Sequence, residues 1–123
     1  GQGGLGMLRD YYIDKKHTAK KLAYSNFIND TLQRISWPDA ESISQQIVDL
    51  EVEIAQVHWN VETRRNVKGV VDVTLVSLKE YAPGFDWEAW LVSAGIPMDF
   101  QGKLQSSSAV AKTVQILNKK SIE

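Results

Sequence analysis

The sequence contains no cysteine. That removes disulfide staples, thiolate metal ligands and a sulfur nucleophile together, although it does not name a compartment. Histidine is nearly as scarce: His17 and His58 are the only two, so a zinc site would have to recruit carboxylates from distant parts of the chain. No H-E-x-x-H occurs. No apolar run approaches the ~20 residues that cross a bilayer. No charged-then-apolar leader opens the sequence, so any export signal is expected outside it. An excess of one charge is missing too, since 14 Lys and Arg stand against 15 Asp and Glu for a formal net charge of −1. The basic residues are scattered, with Lys15, Lys16, Lys20 and Lys21 the densest group, and no nucleic-acid partner is implied.

What remains is ordinary for a soluble globular domain or part of one: 123 residues, 43% hydrophobic and 24% charged. The first six residues, GQGGLG, satisfy the dinucleotide-cradle spelling G-x-G-x-x-G. That cradle needs a strand before the glycines and a helix opening on the last of them. Neither is present, and a flexible lead-in segment is the reading preferred.

Helical periodicity dominates the rest. Between residues 15 and 35, Leu22, Tyr24, Phe27, Ile28, Thr31, Leu32 and Ile35 recur at three- and four-residue steps, which predicts a long amphipathic helix with Asp14 or Thr18 as N-cap. Trp37-Pro38-Asp39 breaks it, because proline and the residue before it leave the helical region. A second helix, 38–58, is expected with Ser36 as its cap. Its stripe of Ile43, Ile47, Leu50, Ile54 and Val57 is spaced 4, 3, 4, 3, and burying five aliphatic chains would contribute roughly 7–15 kcal/mol. Antiparallel packing on the first helix is favoured over a coiled-coil dimer. Residues 60–73 lose the period and read as a loop with one short extended piece around Val70, Val71 and Val73.

A short helix, 74–81, begins at Thr74 and buries Leu75 and Leu78. Helix 86–94 is the best punctuated: Asp86 at the N-cap, Trp87, Trp90 and Leu91 on one face, Gly95 at the left-handed C′ site and Pro97 beyond it. A last helix, 107–120, takes its cap from Ser106, Ser107 or Ser108, turns Val110, Val114 and Leu117 inward and ends in Lys119-Lys120. The fold class is all-α, about five helices in a bundle-like lobe with irregular loops, read as a single subdomain of 1–123.

No constellation here carries chemistry. His58 and Glu62 are four apart, but the period fails around Asn60, and a partly exposed surface pair is expected. Glu51 and Glu53 point to different sides of a helix and read as solvated or salt-bridged. The serines 106–108 lack a nucleophile elbow. Arg64-Arg65 could grip a carboxylate or phosphate, although such a pair more often staples neighbouring helices through Asp or Glu. The tryptophans read as core packing rather than stacking platforms.

Several segments nevertheless fall in a telling order. Gly3-Gly4-Leu5-Gly6-Met7-Leu8-Arg9-Asp10-Tyr11-Tyr12 resembles the G-G-L-G-L-P-x-R-D-Y-Y segment of the M13 (neprilysin and endothelin-converting-enzyme-like) zinc metallopeptidases. Tyr24 and the helix after it resemble that family's A-Y-x-x-x-I. Leu50-Glu51 through Ile54-Ala55 resemble its L-E-x-x-I-A, and Trp59, Arg65 and Asn66 its W-x-x-x-x-x-R-D/N. Leu75 through Trp87 resemble T-L-x-x-L-x-x-x-x-P-x-x-D-W. The similarity spans residues 3–97. One departure is plain: Val71-Asp72-Val73-Thr74-Leu75 stands where the family usually has Y-N-P-M-T-L.

The resemblance implies a piece of the large helical N-terminal region of such a peptidase, which caps the catalytic lobe and encloses a chamber for peptides. The family's zinc is held by H-E-x-x-H and a later E-x-x-x-D, both C-terminal and both absent here. No catalytic, metal-binding or cofactor-binding residue is therefore carried over. Trp59, Arg65, Trp87 and Trp90 remain as candidate structural or docking residues. The implied partners are the catalytic lobe of the same polypeptide and the parent's peptide substrates. The implied location is extracytoplasmic, with the lack of cysteine closer to bacterial members. An independent helical interaction module with no enzymatic role is the alternative. The fragment reading expects exposed apolar surface and self-association in isolation.

Overall fold

The computed structural model describes residues 2–65 and 70–120; Asn66, one of the residues matching the family pattern, lies outside the described residues. Among those described, the order is α1 (Arg9–Ile13), α2 (Thr18–Arg34), α3 (Ala40–Val57), α4 (Val61–Arg64), β1 (Val71–Val73), α5 (Leu75–Tyr81), α6 (Trp87–Ala94), β2 (Gly102–Leu104) and α7 (Ser107–Lys120). The chain is predominantly helical, with seven helices among the described residues where the period alone predicts about five. It divides into two compact units, Gly4–Gln56 and the remainder from Val57 together with the residues up to Gly3.

In the N-terminal unit, Asp14 accepts from the Lys16 backbone N–H at 3.1 Å and caps a single 3-10 turn, Lys15–His17, that leads into α2. That bond, ahead of any charge effect, holds the Asp14 carboxyl below its ordinary range. Helix α2 ends in a Schellman motif: Ser36 N–H donates to the Gln33 carbonyl at 3.0 Å and Trp37 N–H to the Leu32 carbonyl at 2.9 Å. Ser36 therefore occupies the left-handed C′ site, at φ +57°, and is not the cap of the next helix. Pro38 forces the break as expected, and Asp39, at φ +54°, turns the chain into α3.

The apolar stripes are less buried than their spacing predicts. Leu22 and Phe27 of α2 are 62% and 65% exposed, Ile35 beyond its end is also exposed, and no residue of α2 is fully buried. On α3 the stripe of Ile43, Ile47, Leu50, Ile54 and Val57 is half-buried. The buried positions are Ala40, Ser44, Val48 and Ala55, the 4-and-3 series displaced by one residue, about 100° around the helix. Periodicity reports that a face is apolar, but it does not say which part of that face finds a partner.

The C-terminal unit holds the continuous core: Val73, Leu78, Ala82, Trp87, Leu104 and Val114, with Leu75, Phe100, Val110 and Ala111 packed against them. Local chemistry explains its elements. Thr74 and Ser77 form a reciprocal capping box at the start of α5. Asp86 accepts from Ala89 N–H at 3.0 Å to cap α6, and Gly95, at φ +69°, ends that helix through the same Schellman pattern, with Gly95 N–H on the Val92 carbonyl and Ile96 N–H on that of Leu91. Leu91 is fully buried. Helix α7 buries Ser107, Ala109 and Val114, while Leu117 is exposed rather than inward.

The extended piece expected near residue 71 is β1, and it pairs antiparallel with β2 in the register Val71↔Leu104, Asp72↔Lys103, Val73↔Gly102. Val73 and Leu104 turn into the core, and on the opposite face Lys103 bonds Asp72 at 2.8 Å. The departure from the family pattern at Val71-Asp72-Val73 is thus a short strand that buries Val73 and leaves Val71 and Asp72 exposed.

Candidate functional site

The most organised polar site among the described residues lies in the N-terminal unit. Tyr12, 3% exposed, donates its hydroxyl to Glu51 Oε2 at 2.7 Å. Tyr24 donates to Glu51 Oε1 at 3.2 Å. The phenol oxygen of Tyr12 also accepts from the Met7 backbone N–H at 3.0 Å, and the two rings meet edge-to-face with centroids 6.2 Å apart. One carboxylate from α3 therefore clasps α1 and α2 at once, with the leading segment bound through Met7. Glu51 is neither freely solvated nor salt-bridged, contrary to the sequence reading. Burial first, and then the hydrogen bond to Glu51, push both tyrosine hydroxyls above their ordinary pKa.

The clasp also accounts for one of the opening glycines. A Cβ on Gly6 would collide with the Tyr24 hydroxyl oxygen, so any larger residue there must displace the tip of that ring. Of the G-x-G-x-x-G spelling, Gly6 packs against the phenol of Tyr24, whereas a Cβ on Gly3 would meet open space.

The remaining candidates are dispersed. Trp59 is half-buried; its indole N–H donates to Ser108 Oγ at 2.6 Å, and its backbone pairs with the Gln2 side chain through bonds of 2.8 and 3.2 Å. Ser108 is thereby a partner of Trp59 rather than a helix cap. Trp87 is buried and donates its indole N–H to the Ala82 carbonyl at 2.9 Å. Trp90 meets the Trp87 ring edge-to-face at 6.0 Å yet is 47% exposed. Arg65 is exposed at the end of α4. His58 is buried and Glu62 exposed: α3 stops at Val57 and α4 starts at Val61, so the two do not form the surface pair that the spacing suggested. His17 packs against the Tyr11 ring at 4.5 Å. Among the described residues no three His, Asp or Glu side chains converge as metal ligands, and no helix is long and apolar enough to cross a membrane.

Exposed apolar side chains gather on both units. Leu22 and Trp37 border an open groove of about 1030 Å³ between α2 and α3, with Asn26, Asn29, Gln33 and Gln45 on its walls. Val76, Tyr81, Phe85, Trp90 and Val92 are exposed on α5, α6 and their connection.

Residues 1–122 match the N-terminal model of peptidase family M13. The chain belongs to this family. No curated protein matches it. Among solved structures, it is similar to the Mycobacterium tuberculosis zinc metalloprotease Zmp1 in complex with an inhibitor, with a TM-score of 0.84 and 23% identity over 97% of this chain and 19% of that one. The open state of Zmp1 determined by cryo-electron microscopy gives a TM-score of 0.82 and 24% identity, covering 94% and 19% respectively. The likeness shows a shared fold, and the chain spans about a fifth of the length of those proteins.

Membership in M13 gives the clasp a context. Tyr12, Tyr24 and Glu51 come from three of the segments that resemble the family, and the fold joins them at one point. The sequence carried that signal as three separate matches; nothing local to residues 12, 24 and 51 says that they meet.

Proposed function

We propose that this chain is the non-catalytic helical part of an M13-type zinc-dependent endopeptidase, where it caps the catalytic lobe and shapes the chamber that receives peptides. The exposed apolar faces carry the reading: Leu22, Phe27 and Trp37 on the N-terminal unit, and separately Trp90 on the C-terminal unit, are exposed in the way expected of a lobe whose covering partner is absent. By the family resemblance, the metal, its activation of water and peptide cleavage belong to the rest of the parent polypeptide. The family match over 1–122 supports that division. By the same resemblance the parent acts on peptides outside the cytoplasm, and the isolated chain self-associates through its uncovered faces.

The test is a split enzyme. The natural reading frame should continue to an H-E-x-x-H segment, and the downstream part, made alone, should cleave a fluorogenic peptide with zinc only weakly. Adding this chain in trans should restore cleavage and the exclusion of folded proteins, while the chain alone gives no turnover. Full, size-selective activity of the downstream part by itself would remove the capping role.

A further inference from the structure

A cleft of about 280 Å³ in the C-terminal unit is lined by Gln2, Val61, Arg64, Arg65, Gln105 and Ser106. Arg64 is the last residue of α4 and Arg65 its C-cap, and both line the cleft. Among the described residues neither has a carboxylate within 4 Å: the ion pairs formed involve Arg9, Lys16, Lys79 and Lys103. Glu62, on the same turn, does not line the cleft. The pair therefore does not staple neighbouring helices within the described chain.

The cleft is also lined by Gln105 and Ser106, just before α7. Ser106 immediately precedes this helix and its carbonyl accepts the first helical hydrogen bond, from Val110 N–H at 3.1 Å. A serine here ordinarily spends its hydroxyl on a free N–H of the first turn. Ser106 instead sits at φ +53°, 6% exposed, lining the cleft with a hydroxyl that has no partner among the described residues. A left-handed non-glycine residue that withholds its cap is a local conflict of the kind found where a ligand is bound. The 14-residue helix directs the positive end of its dipole to the same side. Gln2 fixes the rim, its amide tied to the Trp59 backbone at 2.8 and 3.2 Å.

We propose that this cleft is an oxyanion site, taking a carboxylate or phosphate group among Arg64, Arg65 and Ser106 with the start of α7. Planar guanidinium forks match both groups, and the hydroxyl supplies a further donor. The site is independent of the chamber-capping role.

The test follows the Arg64 and Arg65 side-chain N–H signals and the Ser106 and Ser107 amides by NMR. Inorganic phosphate and acetate are titrated separately at fixed ionic strength. Saturable shifts at these groups are expected, with binding weakened roughly tenfold in each of Arg64→Gln and Arg65→Gln. A Lys15→Gln/Lys16→Gln control should leave the curves unchanged. Preference for phosphate identifies a free phosphate ligand, whereas equal or better binding of acetate identifies a carboxylate borne by a polypeptide; both support the site. Arg64→Lys and Arg65→Lys keep the charge without the fork and should lose a few-fold, which decides the matter if a glutamine variant misfolds. Non-saturating shifts, or curves indifferent to the arginines, would overturn the assignment.

Discussion

The two units are held by different kinds of interaction. The C-terminal unit encloses an apolar cluster contributed by two strands and three helices, Trp87 among its members, and also buries Leu91 completely. The N-terminal unit has the longer helices, yet α2 buries no side chain completely, and its best-made junction is a carboxylate shared by two phenols. Apolar area is non-directional, while two phenol hydroxyls on one carboxylate fix position. The N-terminal unit is therefore specified in geometry but left short of burial, consistent with helices whose outer faces await a cover.

The sharpest way to break this comparison is at the core. Trp87→Ala removes a buried indole and its bond to Ala82, and should cost about 3–5 kcal/mol in urea unfolding. Tyr12→Phe deletes a charge-assisted bond in the other unit and should cost about 1.5–3 kcal/mol. Equal costs for the two would mean that the clasp matters as much as the core. Alkaline pH should also separate the units. The raised pKa of Tyr12 keeps the folded phenol protonated while the unfolded one ionises near ~10, so its contribution is complete below that pH and is lost above it. Ultraviolet tyrosinate absorbance should show this loss above about pH 10, and Tyr12→Phe should flatten it.

Smaller effects sharpen the contrast. Gly6→Ala displaces the Tyr24 hydroxyl and should cost about 0.5–1.5 kcal/mol, less in a Tyr24→Phe background. The smallest effect compares two helix ends built alike, one closed by serine and one by glycine. Ser36→Gly should stabilise by up to about 1 kcal/mol and Gly95→Ala destabilise by about as much, both read from thermal melts.

Much of this was legible before any coordinates. Thr74, Asp86 and Gly95 mark their elements because caps and stops act within a few residues. The helical class follows from the period. What escaped was decided at longer range. Of the two three-residue strands, the one at 71–73 matches the expected extended piece, whereas its partner at 102–104 has no pattern of its own and is a strand only because the other pairs with it. Helix α4 is one turn, held by Asn60 accepting from Thr63 N–H at 2.8 Å, too short for a period. Leu22, Phe27, Ile35 and Leu117 were expected inside because amphipathicity names a face without its occupant. The clasp required residues 12, 24 and 51 to converge, and Ser36 was read as opening a helix when it closes one, because serine suits both ends and only the backbone φ tells them apart.

The β1–β2 pairing has a mechanical consequence. It ties residue 71 to residue 104, so α5 and α6 hang from it as the loop of a stem-loop. Tension applied across the stem is borne by that ladder and never reaches the helices until it unzips. Once it does, both should be released together as one block.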